Sequence, residues 1–144
     1  MIWGLFYLTL LISLSFYAER SKIAETRTAI RTLAVASVLT LVAVLSGVDF
    51  ATASMLLTML DFAVLGIFVV LALTSTRYWT LCLPAFQLIT CMTHLAKFAA
   101  PNIVPHVYEA SQGFWAYLQI IVIFLAIWWG RAHEKAMLNA AIRK

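Results

Sequence analysis

The chain has 144 residues, of which 64% are hydrophobic and only 11% are charged, and its formal net charge is +4. A soluble domain typically carries about 45–50% apolar and about 25% charged residues, so this composition excludes an ordinary soluble domain and indicates an integral membrane protein. The basic residues flank apolar segments and are not interleaved with aromatic residues, which argues against nucleic acid as a partner and favours membrane lipid.

Five apolar segments predict an all-α integral membrane bundle of five transmembrane helices, which forms a single domain over residues 1–144. The first segment is at the short end of the length that spans a bilayer. No basic residue precedes it and no signal-peptide cleavage pattern follows it, so we expect it to remain as a helix. The predicted spans cover about residues 2–18, 32–48, 50–74, 80–98 and 113–130.

The breaks between these spans carry turn-forming or charged residues. Residues 19–31 form a charged connection, predicted as a short helical turn at the membrane surface. Ser46–Asp49 interrupts an apolar run of about 40 residues, roughly twice what a bilayer needs, and predicts a tight hairpin. Pro84 is expected in the first turn of the fourth helix, where its missing N–H costs least. A loop is predicted over residues 99–112 and a solvated helical extension over residues 131–144.

Basic residues are distributed unequally between the two sides of the predicted bundle. With five spans, nine of them lie on one side and Lys97 alone lies on the other. Because cytoplasmic loops are enriched in Lys and Arg, the basic side is predicted to be cytoplasmic, with the N-terminus outside and the C-terminus inside. The nine are Arg20, Lys22, Arg27, Arg31, Arg77, Arg131, Lys135, Arg143 and Lys144.

Asp61, near the middle of the third span, is the most informative residue. An ionisable group at this depth is costly in lipid, so its side chain is expected to face the protein interior or water. Ser54 and Thr58 share its helix face. At 1.5 Å per residue, Asp61 lies about 20 Å above the cytoplasmic end of its helix and His94 about 22 Å above Trp79, so the two meet if these helices are neighbours.

Further polar residues extend this face to the fourth and fifth helices. Gln87, Thr90, Cys91 and His94 form a stripe on the fourth helix, and Gln119 lies on the fifth, seven residues from Gln112. The sequence therefore predicts a polar pocket or proton relay in the outer half of the bundle. Its candidate residues are Asp61, His94, Gln87, Thr58, Thr90 and Gln119, with Ser54 at its edge.

Two interpretations of this pocket stay open. A His–Asp pair at membrane depth is typical of proton relays, in which both groups exchange a proton. Polar side chains also hold membrane helices together, so the same residues are compatible with an inert network that sets the helix register. The second arrangement is the commoner one in membrane bundles.

Catalysis, metals and cofactors are not indicated. Met92 points away from Cys91 and His94 on a helix, and no second intramembrane histidine is present to hold haem. Cys82 and Cys91 lie on opposite faces of one helix and cannot form a disulfide within it. No serine or cysteine is accompanied by a histidine and an orienting acid, so we expect a non-enzymatic protein without a metal or cofactor.

The second half of the chain carries a series of motifs that follow Asp61. They are Arg77-Tyr78-Trp79, Ala85-Phe86-Gln87-Leu88, Thr93-His94-Leu95-Ala96, Pro105, Tyr108, Ala110, Gln112 and Trp115-Ala116-Tyr117. This series resembles a group of small polytopic inner-membrane proteins of Gram-negative bacteria that has no assigned activity. Thr80 departs from the group, which often has proline after Arg-Tyr-Trp. The resemblance implies a multi-pass protein of the bacterial inner membrane and picks out Asp61, Gln87, His94 and Gln112.

Three functions remain open at this level. The leading hypothesis is a non-enzymatic accessory or scaffold subunit, whose polar pocket binds lipid, a small ligand or a helix of another membrane protein subunit. The alternative is a small transporter or proton-handling protein that uses Asp61 and His94 as the exchanging pair. A further alternative is a holin-like permeabilising protein, which the small size and charged tail favour.

Overall fold

The structure is a computed structural model that describes the backbone of residues 2–21, 23–47, 50–99 and 105–142. Side chains are described within these ranges, apart from residues 2, 3, 50, 51, 53, 98, 105–112 and 134–142. Every regular element in the described ranges is helical. The elements are α1 (Ile2–Glu19), α2 (Ala24–Leu45), α3 (Phe50–Thr74), a 3-10 turn (Tyr78–Leu81), α4 (Cys82–Ala99) and α5 (Pro105–Ile142).

Four of the helical stretches are long and apolar enough to cross a membrane. They are Ala24–Leu45, Ser54–Thr74, Tyr78–Lys97 and Gly113–His133. The first helix is also apolar, but its apolar stretch, Gly4–Glu19, is shorter than the other four. The chain therefore has the architecture of an all-helical, multi-pass membrane protein.

Two helices extend beyond the apolar segments that predicted them. α2 begins at Ala24, so Glu25, Arg27 and Arg31 lie in its first turns and not in a separate surface segment. α5 begins at Pro105, so the predicted loop over 99–112 is wrong from that residue onward. Hydropathy marks which residues of a chain prefer lipid. The backbone hydrogen bonds of a helix do not depend on that preference, so a helix can continue into turns made of polar residues. Proline also suits the first position of a helix, where its fixed φ is pre-organised.

The predicted turn between the second and third spans is present. α2 ends at Leu45, and Gly47 adopts a φ of +70°, a left-handed conformation that glycine reaches without steric cost. The predicted place of proline in α4 also holds, because Pro84 is the third residue of that helix. Asp49 and the turn residues Pro101 and Asn102 lie outside the described residues.

Each helix packs on the next one along the chain, and α5 returns to contact both α1 and α2. The five helices therefore enclose a common interior. At one end of this interior the packing is dense, and we call this end the packed half. Its fully buried side chains include Ala18, Ala29, Ile30, Phe68, Leu83, Ile123 and Ile127.

α5 lies close to the turn between α1 and α2 at this packed end. Gly130 approaches Ile23 so closely that any side chain at position 130 would meet it. One residue further, the Arg131 guanidinium stacks on the Tyr17 ring, 3.7 Å from its centroid, and donates to the Tyr17 carbonyl oxygen at 3.2 Å. These contacts fix the depth of α5 relative to α1.

Candidate functional site

The centre of the candidate site is a hydrogen bond between two ionisable side chains on neighbouring helices. Asp61 lies near the middle of α3, and His94 lies in the C-terminal part of α4. The Nε2 atom of His94 is 2.7 Å from Oδ2 of Asp61. His94 is buried, whereas the Asp61 side chain is 26% exposed. The similar depths predicted from the sequence are thus realised as direct contact.

Two glutamines continue the hydrogen bonds from Asp61 to α5. Gln87 lies seven residues before His94, which is about two helical turns, so both side chains face α3. Its Nε2 donates to Oδ1 of Asp61 at 2.9 Å. Nε2 of Gln119 donates in turn to Oε1 of Gln87 at 2.8 Å, and both glutamines are buried. Side-chain hydrogen bonds therefore link three helices.

Thr58 is the neighbour of His94 on the other side of the imidazole ring. It lies three residues before Asp61, on the same face of α3. Its Oγ1 lies 3.2 Å from Nδ1 of His94 and donates to the Ser54 carbonyl oxygen at 2.8 Å. Both ring nitrogens of His94 thus have a polar neighbour, which fixes the orientation of the ring. We call the connected side chains of Thr58, His94, Asp61, Gln87 and Gln119 the polar network.

The remaining predicted pocket residues lie beside the polar network. Thr90 lies between Gln87 and His94 in the sequence of α4 and is buried. Its hydroxyl donates to the Phe86 carbonyl oxygen at 3.3 Å. Ser54 joins through its backbone carbonyl. The side chain of Gln112, which the resemblance picked out, lies outside the described residues. The structure thus brings the six candidate residues to one region of the bundle.

A cavity of about 730 Å³ lies against the polar network. All five helices contribute to its wall. α3, α4 and α5 present polar side chains to it, including Asp61, His94 and Gln119, whereas α1 and α2 present mainly leucine, valine and small residues. The volume lies within the roughly 300–1,000 Å³ of typical ligand sites, which are likewise apolar with a few placed polar groups. We call this end of the bundle the cavity half.

Four further polar residues line the cavity that the sequence did not predict for the pocket, namely Tyr7, Ser37, Thr40 and Tyr117. The hydroxyls of Tyr7 on α1 and Ser37 on α2 are 3.3 Å apart. The Tyr7 ring packs edge-on against Tyr117 of α5, with 5.6 Å between the centroids. Tyr7 and Tyr117 lie near the ends of predicted spans, and Ser37 and Thr40 have small hydroxyls that can bond to the backbone of their own helix. They were therefore indistinguishable from ordinary interfacial or lipid-facing residues.

Ion pairs occupy the opposite end of the molecule. Arg31 binds Glu19 through two hydrogen bonds, of 2.6 and 2.8 Å, and this pairing holds the pKa of Glu19 below its usual range. Nε of Arg77 lies 3.7 Å from Oε1 of Glu25. These pairs join the ends of helices and do not line the cavity, so they belong to the scaffold and not to the site.

A metal centre has no donor set in the part of the chain that the structure describes. Within those ranges, no three side chains among His, Cys, Asp and Glu come close enough to hold a metal ion together. Cys91 is buried and Cys82 is partly buried, and both are free thiols. The side chains of the polar network can form hydrogen bonds, and the pair of Asp61 and His94 can exchange a proton.

Fold and site together define a multi-pass membrane protein with a polar network against a cavity that is partly open to the surface of the bundle. Comparison with models of known protein families, with curated proteins and with solved structures finds no match for the chain. Conclusions about function therefore rest on the site itself.

Proposed function

We propose that the protein is a non-enzymatic accessory protein of the bacterial inner membrane, which holds a small lipophilic ligand in the cavity beside its polar network. The observation that carries this proposal is a cavity of about 730 Å³, walled by all five helices and lined on one side by the polar network. An inert network that only sets helix register needs no space beside it, because close packing is the normal state of a protein interior.

In this proposal all five helices cross the membrane, with the N-terminus outside. α1 has 18 residues and rises about 27 Å, close to the roughly 30 Å of a bilayer core. Its Leu11, Leu14 and Ala18 are buried in the bundle, so α1 is integral to the fold. The excess of basic residues at the packed end supports a cytoplasmic location for that end. The cavity then opens in the outer half.

Photolabelling in lipid nanodiscs tests the ligand site. The probe is a long-chain alcohol with a diazirine in its alkyl chain, and labelled residues are mapped by mass spectrometry. We expect saturable labelling of cavity residues such as Leu8, Leu33 and Val64. Ala116→Phe, which fills the cavity, is expected to reduce this labelling at least about tenfold, the effect of roughly 1.4 kcal/mol in binding.

The matched control places the same substitution on the outside of the bundle. Ala85 is exposed on α4 and does not line the cavity, so Ala85→Phe is expected to label like the parent protein. Labelling that is confined to lipid-facing residues, or that is equal in both variants, would reject the ligand site.

Proton handling is a second candidate function, and the 2.7 Å contact between His94 and Asp61 favours it. Both residues line the cavity, so a proton entering from that side reaches the pair. The test is the rate at which an imposed pH difference decays in proteoliposomes containing a pH-sensitive dye. A flux in the parent protein that Asp61→Asn abolishes supports this candidate, whereas decay no faster than in protein-free vesicles removes it.

A further inference from the structure

We infer that the cavity selects an uncharged amphipathic molecule, with a hydroxyl or carbonyl head and an apolar body. This inference rests on the proposed ligand site and adds the chemical class of its ligand. Three features of the described residues carry it: the proton count of the polar network, the charges of the cavity wall and the distribution of apolar side chains around it.

The proton count begins at Thr58, which has a single hydroxyl proton. A carbonyl oxygen can only accept a hydrogen bond, so the 2.8 Å contact with Ser54 takes this proton. Thr58 Oγ1 then has only lone pairs to offer His94 Nδ1, at 3.2 Å. Nδ1 is therefore the donor in that contact, and it carries a proton.

The contact between His94 and Asp61 contains a second proton. Nε2 and Oδ2 are 2.7 Å apart, which requires a hydrogen between them, bound to either the nitrogen or the oxygen. In the first case an imidazolium faces a carboxylate, and in the second a neutral ring faces a carboxylic acid. Both cases have the same number of protons and a net charge of zero. The pair therefore presents no net charge to the cavity.

The rest of the wall supplies no charge either. Among the described residues that line the cavity, Asp61 is the only acid and there is no lysine or arginine. The second oxygen of Asp61, Oδ1, already accepts from Gln87. A charged ligand would lose its hydration without gaining a counter-charge, which costs several kcal/mol at membrane depth. An uncharged polar head needs only hydrogen bonds, which the amide groups of the polar network can provide.

The wall is also two-sided. α1 and α2 contribute Leu5, Leu8, Leu33, Leu41 and Val44, which suit an apolar body. Leu5, Leu41 and Val44 are also exposed on the bundle surface, so the apolar side of the cavity borders the lipid. A lipid-soluble molecule would thus place its head against the polar network and most of its apolar body against α1 and α2, where the hydroxyls of Tyr7 and Ser37 add a smaller polar patch.

Three diazirine probes with the same alkyl chain test the inference in nanodiscs. Their heads are a hydroxyl, a sulfonate and a trimethylammonium group, and the last two keep their charge at any working pH. We expect the alcohol to label cavity residues at least about tenfold more efficiently than either charged probe, since burying a charge costs more than the 1.4 kcal/mol that tenfold represents. Labelling of exposed Met92 measures how much of each probe is in the bilayer.

Asp61→Asn sharpens the test because it keeps the site uncharged. The variant should retain the preference for the alcohol, and its thermal unfolding shows whether it is folded. Strong labelling by the trimethylammonium probe that Asp61→Asn removes would overturn the inference, since it would identify a bare carboxylate. Preferred labelling by the sulfonate would overturn it as well. If no probe labels the cavity, the proposed ligand site itself fails, which is a distinct outcome.

Discussion

The two halves of this bundle are built from the same five helices but differ in how their interiors are filled. In the packed half, apolar side chains such as Phe68, Ile123 and Ile127 are fully buried against one another. In the cavity half, the interior holds hydrogen-bonded polar groups and open space. Because lipid is as apolar as the core, dense packing is the main source of stability for membrane helices. The packed half therefore stabilises the fold, and the cavity half is under less demand for dense packing.

The largest effect is expected from Phe68→Ala, which opens a void in the packed half. The free energy of unfolding should fall by about 3 kcal/mol, the lower end of the range for truncating a buried phenylalanine, because the environment of the separated helices is lipid and not water. Phe62→Ala is the matched control, since Phe62 lies on the same helix and is exposed. Unfolding by denaturing detergent measures both, and equal losses would contradict the division into halves.

A pair of alanine substitutions on α2 compares the halves directly. Ala29 is fully buried in the packed half, whereas Ala36, seven residues later on the same face, lines the cavity. Ala29→Leu should lower the free energy of unfolding by about 1–3 kcal/mol through overpacking. Ala36→Leu has room for its added atoms and should change stability by less than about 0.5 kcal/mol, while reducing alcohol labelling. A larger loss of stability in Ala36→Leu than in Ala29→Leu would show that the cavity has no room for a larger side chain at position 36.

A smaller effect is expected from the polar network. In a double-mutant cycle of Gln87→Leu and Gln119→Leu, the interaction between the two amides should appear as a coupling of about 0.6 to 1.7 kcal/mol. Unfolding of the parent, both single variants and the double variant provides the four values. Additive losses would mean that this hydrogen bond does not contribute to stability.

The smallest effect is expected at the charged end, from the pair of Glu19 and Arg31. The pairing lowers the pKa of Glu19, so its contribution is present above the ordinary value of 4.5 and is lost as pH falls through the lowered pKa. Glu19→Gln should therefore reduce the melting temperature slightly at neutral pH, and this reduction should shrink progressively as the pH is lowered below 4.5. Both side chains are exposed, so high salt should also remove the difference. A difference that persists in acid would assign it to packing.

Features that depend on regular helix geometry were predictable from the sequence. Asp61 and His94 were expected to meet because rise per residue sets their depth and a short connection makes α3 and α4 neighbours. The cavity was not predictable, since it arises where small residues such as Gly4, Ala36 and Gly113 leave space between helices. Small residues at these positions are just as compatible with close packing. The predicted starts of α2 and α5 were wrong because each helix begins with polar residues ahead of its apolar segment.

The path of the polar network through α3, α4 and α5 also determines when each helix finds its hydrogen-bond partners during synthesis. Synthesis proceeds from the N-terminus, so Asp61 leaves the ribosome well before His94, Gln87 and Gln119. An unpartnered acid in lipid costs about 2.5–3.5 kcal/mol on insertion scales. α3 therefore reaches its stable position only when α4 arrives, and α5 completes the arrangement. Nascent chains that stop after α3 should consequently carry an unpartnered acid within the membrane and become substrates for membrane quality control.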